Sequence, residues 1–162
     1  MSAVTLGVSD VRSFNIGNSD YAEHKIQPWD VWIAYRLNPF HADMVKRLLR
    51  TKAEGGMSPL EARRLDYEKI KHIAMECKRQ NAEGIAWFTI PTGKPVSEIP
   101  ITDIVREYDM DSLDASMLTT VLSGNPNYDT IILACERRIE EIDSERRIEE
   151  IDFEINVKEE KK

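Results

Sequence analysis

Asn38-Pro39-Phe40-His41-Ala42-Asp43-Met44-Val45-Lys46-Arg47-Leu48-Leu49-Arg50, continued by Thr51-Lys52-Ala53-Glu54-Gly55-Gly56-Met57-Ser58-Pro59-Leu60-Glu61, holds two helix starts and the break between them. Asn38 is a capping residue, and Pro39 suits the first helical position. Phe40, Met44, Val45, Leu48 and Leu49 then recur at helical spacing on one face, with Asp43, Lys46, Arg47, Arg50 and Glu54 opposite. This spacing predicts a helix from about Pro39 to Ala53. Gly55-Gly56 ends it, and Ser58-Pro59-Leu60-Glu61 reads as a capping box opening a second, long helix to about Asn81. That helix offers Leu65, Ile70, Ile73, Ala74 and Cys77 to a core. A short link between two amphipathic helices implies an antiparallel hairpin. The fold class that follows is mainly α. The helical hairpin is its first module, and a C-terminal α region contains a small β-hairpin or extended excursion.

Toward the N-terminus, residues 1–20 show no sustained periodicity and read as an arm. Pro28 and Asp30 favour a short helix from Pro28 to Tyr35. Trp29, Trp32, Tyr35 and Phe40 form an aromatic group suited to core packing. Toward the C-terminus, Ile85-Ala86-Trp87-Phe88-Thr89-Ile90 is rich in strand formers and runs into a Pro/Gly turn, so the β-hairpin is expected between Ile85 and Ile101. Helices are expected at Ile101 to Tyr108 and at Leu113 to Ser123, the latter capped by Asp111 or Ser112 and closed by Gly124. A last helix follows Asn125-Pro126, with Tyr128, Ile131, Ile132, Cys135, Ile139 and Ile142 as its apolar stripe. Glu136-Arg137-Arg138-Ile139-Glu140-Glu141-Ile142-Asp143 then recurs as Glu145 to Asp152. Nine residues are about two and a half helical turns, so the second copy faces the other way and does not extend the stripe. Ile151, Phe153, Ile155 and Val157 alternate with polar residues and predict a final strand. The chain is thus divided into an arm (1–20), a helical module (21–82), an accessory, mostly helical region (83–143) and a charged tail (144–162).

The 162 residues contain no apolar run near the roughly 18–20 needed to cross a bilayer. Met1 to Phe14 lack the order of a signal peptide, and Cys77 and Cys135 form no disulfide framework. The expectation is a cytoplasmic protein with free thiols and no membrane partner. The net charge of −7 is uneven: residues 1–81 hold 13 Lys/Arg against 10 Asp/Glu, and the remainder 9 against 19. An acidic second half opposes extended contact with nucleic acid, while the basic segment Lys46–Arg79 suits a small anion.

Lys46, Arg47 and Arg50, with Lys52 just beyond and Lys69 on the partner helix, are the strongest chemical feature. A phosphate needs several N–H donors and positive charge, and arginine supplies planar bidentate donors. The plain alternative is a solvated helix face paired with Asp43 and Glu54. Gly93-Lys94 lacks the remaining residues of a phosphate loop, since Phe88 and Pro95 stand where glycine and Ser/Thr are required. His24, His41 and His72 stand at no metal-ligand spacing, so no metal site is expected. Asp109, Asp111 and Asp114 read as capping residues.

Tyr21-Ala22-Glu23-His24-Lys25-Ile26-Gln27-Pro28-Trp29-Asp30 resembles the opening of the SaV-like family of small phage proteins, a domain family of unknown function that includes a phage nucleotide kinase. Leu37-Asn38, then Lys46-Arg47-Leu48-Leu49-Arg50-Thr51-Lys52, then Asp66-Tyr67-Glu68-Lys69-Ile70 keep the family's order and approximate spacing over residues 20–80. The chain departs from it at Ala42-Asp43, where Gly-Asn is usual, and at Arg47, where tyrosine is usual. The resemblance implies phage origin and nucleotide binding, with phosphoryl transfer from a nucleoside triphosphate to a nucleoside monophosphate as the chemistry. Lys46, Arg47, Arg50, Lys52 and Lys69 would then hold phosphates, and His24, Asp30 and Asp66 would orient ligand or cations. Two other readings stand beside this one. The first is a non-catalytic phage effector that binds a host protein through its acidic half or sequesters a nucleotide signal. The second is a scaffold forming homo-oligomers through the stripe Tyr128 to Ile142.

Overall fold

The computed structural model describes residues 12–13, 20–51, 55–85 and 98–160. Among the described residues a 3-10 turn, Tyr21–Glu23, precedes six α-helices: α1 (Pro28–Ala34), α2 (Pro39–Leu48), α3 (Pro59–Ala82), α4 (Ile101–Glu107), α5 (Ser112–Leu122) and α6 (Tyr128–Glu159). No strand occurs among the described residues. The β-hairpin expected at 85–101 falls largely on residues 86–97, outside the described ones, and its expected end at Ile101 is the first residue of α4. The expected final strand is corrected: Ile151, Phe153, Ile155 and Val157 are the last turns of α6. No glycine or proline follows Pro126, so nothing stops a helix begun at Tyr128.

Helix starts follow the local chemistry. The Asn38 side chain accepts from the His41 amide, and Ser58 and Glu61 form a reciprocal capping box. Asp111 accepts from the amides of Leu113 and Asp114, and Asn127 from that of Thr130. The last cap lies two residues beyond the expected Asn125-Pro126. Gln27 and Asp30 form a second reciprocal box at α1.

α2, α3, α6 and α5 form a ring in which each helix packs on two of the others, with α1 laid on α2 and α4 on α5. Between them lies one apolar cluster containing Val31, Met44, Val45, Leu49, Ile70, Ala74, Ile104, Leu118, Val121, Ile131 and Cys135. Burying each large aliphatic side chain is worth about 1.5–3 kcal/mol, and this term holds the ring together.

The longest seam joins α3 to α6, which run antiparallel. Lys78 pairs with Asp129 at 2.6 Å, Lys71 with Glu136 at 2.9 Å and Arg64 with Asp143 at 2.7 Å, stepping seven residues along each helix. A seven-residue step on both partners keeps one edge of each facing the other, as in a coiled coil. Glu61 and Arg146 continue the row with reversed polarity. α2 also runs antiparallel to α3, as the hairpin reading expects. Its C-terminal end meets Arg63 and Asp66 in the first turns of α3, while its N-terminal His41 bonds Tyr128 at 2.7 Å, beside the far end of α3.

Candidate functional site

α2 is shorter than its apolar pattern predicts, ending at Leu48 rather than near Ala53. Tertiary contacts explain the stop. The Arg63 guanidinium donates to the backbone carbonyls of Arg47 (3.0 Å) and Leu48, taking acceptors that a further turn would use. The Tyr21 hydroxyl donates to the Lys46 carbonyl, and the Thr51 hydroxyl to the Asp20 carboxylate.

This early stop gathers charge. Asp66, buried on the facing side of α3 with 3% of its side chain exposed, lies 3.5 Å from a guanidinium nitrogen of both Arg47 and Arg50. Asp43, one turn back on α2, lies 3.3 Å from Arg47 Nε. That Nε is buried and makes no hydrogen bond among the described residues. Burial pushes the Asp66 carboxyl above its ordinary range, and the charges of Arg50, Arg63 and Arg47 pull against that rise. Burial likewise raises the Tyr21 hydroxyl, with Arg50 opposing it. These pairs are long. The pairs that tie the ring together, such as Arg63–Asp114 at 2.6 Å and Arg64–Asp143 at 2.7 Å, are at full charge-assisted hydrogen-bond length.

Of the residues singled out in the sequence, the structure brings Arg47, Arg50 and Asp66 together. Lys46, half-buried, precedes Arg47 on the same turn, and Lys69, also half-buried, stands one turn beyond Asp66 on α3. Lys52 lies outside the described residues. His24 stacks on Tyr108 with ring centroids 4.3 Å apart, and its Nδ1 lies 3.4 Å from Glu107. Its other ring nitrogen lies 3.8 Å from Asp20, whose carboxylate also takes the Thr51 hydroxyl. Asp30 accepts from the Gln27 amide as part of the α1 cap and pairs with Arg12 at 3.1 Å.

A second, tighter network was hidden in the sequence. The Asp114 carboxylate on α5 accepts from Arg63 (2.6 Å) and from the Tyr67 hydroxyl (2.7 Å), with Arg138 of α6 at 3.5 Å. Arg138 also pairs with Asp111 and Glu141. The only sequence signal was Arg63 and Tyr67 four apart on one helix face. Every member is committed to another, so this is an internal clamp joining α3, α5 and α6. Beside it a cavity of about 310 Å³ is lined by Asp111, Ser112, Leu113, Arg137, Arg138 and Glu141, with its charges paired across the lining.

Other chemistry is quiet. Both thiols are buried, and burial pushes Cys135 up to about 12 and raises Cys77; neither is a thiolate nucleophile near neutral pH. Among the described residues no group of three or more His, Cys, Asp or Glu is placed to hold a metal ion, and no described helix is long and apolar enough to cross a membrane. Trp29 is half exposed beneath the Arg12 guanidinium, whereas Trp32 and Tyr35 pack against the core.

No family model, curated protein or solved structure compared with the chain matches it.

Proposed function

We propose that this protein binds a small phosphorylated ligand, of which nucleotides are the first class to test, where the end of α2 meets α3. One observation carries the reading. Arg47 and Arg50 converge on one buried carboxylate, each with a guanidinium nitrogen 3.5 Å from Asp66. A phosphate group brings several acceptor oxygens and up to two negative charges. It would make charge-assisted hydrogen bonds of about 2.7–2.9 Å to guanidinium groups, shorter than those they make to Asp66. Lys46 and Lys69 flank the site on the same two helices and would add charge without fixed geometry. Asp66 would act as the positioning residue that keeps the arginines side by side. The resemblance over residues 20–80 supports the same ligand class. Transfer of phosphate from a nucleoside triphosphate to a monophosphate is the finer reading, and it rests on that resemblance.

Titration calorimetry at moderate salt with ATP, ADP, the deoxynucleoside monophosphates and pyrophosphate tests the binding. A saturable heat with at least one is expected. Arg50→Ala and Arg47→Ala should each weaken it about tenfold or more, in line with losing a charge-assisted bond. Asp66→Asn should tighten it, because the amide keeps an acceptor for the arginines and removes the anion that competes with phosphate. No heat with any of these ligands at high protein concentration, or binding indifferent to all three changes, would reject the site. A coupled kinase assay on a bound pair then separates enzyme from binder.

A further inference from the structure

The tandem repeat places one docking sequence twice on α6, and only the first copy turns its isoleucines to the core. In that copy, Ile142 is 7% exposed and Ile139 half-buried against the core, while Glu136 and Asp143 pair with Lys71 and Arg64 of α3. The second copy carries the same residues nine positions on: Glu145, Ile148, Ile151 and Asp152. Because nine residues are about two and a half turns, these point away from the body. Ile148 is 60% exposed and Ile151 55%, and Ile155, 50% exposed, extends their row by a turn. Glu141, Glu145, Asp152 and Glu159 recur along one edge of this row at helical spacing, and all are exposed.

We propose that the outward face of α6 from Glu145 to Glu159 docks a basic amphipathic helix of another protein, built like this chain's own α3. The charge pattern selects that occupant. The isoleucine row would pack on aliphatic side chains of the partner. Glu145 and Asp152, seven residues apart, fit cations that are also seven apart, the spacing of Arg64 and Lys71. Residues 144–160 carry seven acidic and three basic side chains, so a second copy of the same face would meet it with like charge. This surface is separate from the arginine cluster, and neither proposal depends on the other.

The probe is a fluorescent synthetic peptide of residues 59–82 with Cys77→Ser, titrated with the full-length protein and read by anisotropy. Saturable binding that weakens with added salt is expected. Ile148→Glu with Ile151→Glu should lower affinity about tenfold or more while leaving the thermal melt of the protein in place, since both positions are exposed. Glu145→Lys with Asp152→Lys should also weaken it, and a peptide carrying Arg64→Glu and Lys71→Glu should recover the loss. Absence of saturable binding would overturn the proposal. So would binding unchanged by the isoleucine pair, because the peptide would then be exchanging with the chain's own α3. A dimer in light scattering that Ile148→Glu with Ile151→Glu dissociates would overturn it in favour of a second copy.

Discussion

His41 shows how one side chain ties folding to pH. Its amide is capped by Asn38, while its ring is buried and shares a 2.7 Å hydrogen bond with the Tyr128 hydroxyl. Burial lowers its pKa below 6.5. As pH falls through about 6.5 the unfolded chain takes up the proton first, so folding loses free energy, and it continues to do so down to the lower native pKa. Above 6.5 the ring is neutral in both states and this contribution is intact. Stability measured by urea unfolding should therefore decline between pH 7 and pH 5, and His41→Gln should flatten that decline. An unchanged slope in the variant would assign it to other groups. Asp66 has the opposite sign. Its raised pKa means that the folded state holds its proton more tightly, so its contribution is largest in acid and fades as pH rises through the native value.

At the scale of elements, starts were legible and so were most stops, that of α2 excepted. Capping residues announce themselves because a side-chain oxygen must sit beside free amides, and Asn38, Ser58 and Asp111 do so. The end of α3 is a Schellman turn with Gly84 at φ 73°, its amide and that of Ile85 reaching back to Asn81 and Gln80. α1 and α4 end in the same turn with non-glycine residues, Arg36 at φ 50° and Asp109 at φ 46°. The matching bonds are Leu37 to Trp32 and Met110 to Val105. The sequence places these two ends at Tyr35 and Tyr108, within one residue of where the helices stop, although no glycine marks either. Arg36 is exposed, so Arg36→Gly should relieve the strain of its left-handed backbone and stabilise the protein by about 0.5–1 kcal/mol. Chemical denaturation checks it, and a loss of stability would mean that the arginine side chain contributes more than the backbone strain costs. The stop of α2 was illegible because it is imposed by Arg63, distant in sequence. The arginine–Asp66 meeting was half legible, since the hairpin predicts that α2 and α3 adjoin, while periodicity alone sends Arg47 and Arg50 to solvent. The alternation at Ile151 to Val157 misled because four alternating residues fit a strand or, with nothing to end it, the final turns of a helix.

At the scale of the molecule, the uneven charge read in the sequence is spent largely inside the fold. Basic α3 lies along acidic α6, and Lys78, Lys71, Arg64 and Arg63 find their carboxylates at Asp129, Glu136, Asp143 and Asp114. The pairs at Lys78 and Lys71 are open to water and add little to stability; their work is to set the register of the two helices. The Arg63–Asp114 pair is mostly buried, and breaking it from one side would strand a charge. The apolar core crosses the chain in the same way. Val31, Met44, Val45, Leu48, Leu49, Tyr67, Ile70 and Ala74 come from the first half, and Ile104, Met117, Leu118, Val121, Ile131, Cys135 and Ile142 come from the second. A fragment of residues 1–82 would expose the Tyr67, Ile70 and Ala74 face of α3 and leave four of its cations without their partners. Most helical stability in a protein comes from the packed apolar face, which α3 would largely lose. That fragment should therefore show weak helicity, no cooperative melt and poorly dispersed amide resonances, and adding residues 83–162 should restore all three. A cooperative melt of the fragment alone would show that α1, α2 and α3 suffice for a core. Ligand tests would then be run on that module, and the α3–α6 seam would be a contact between two folded units rather than the centre of one.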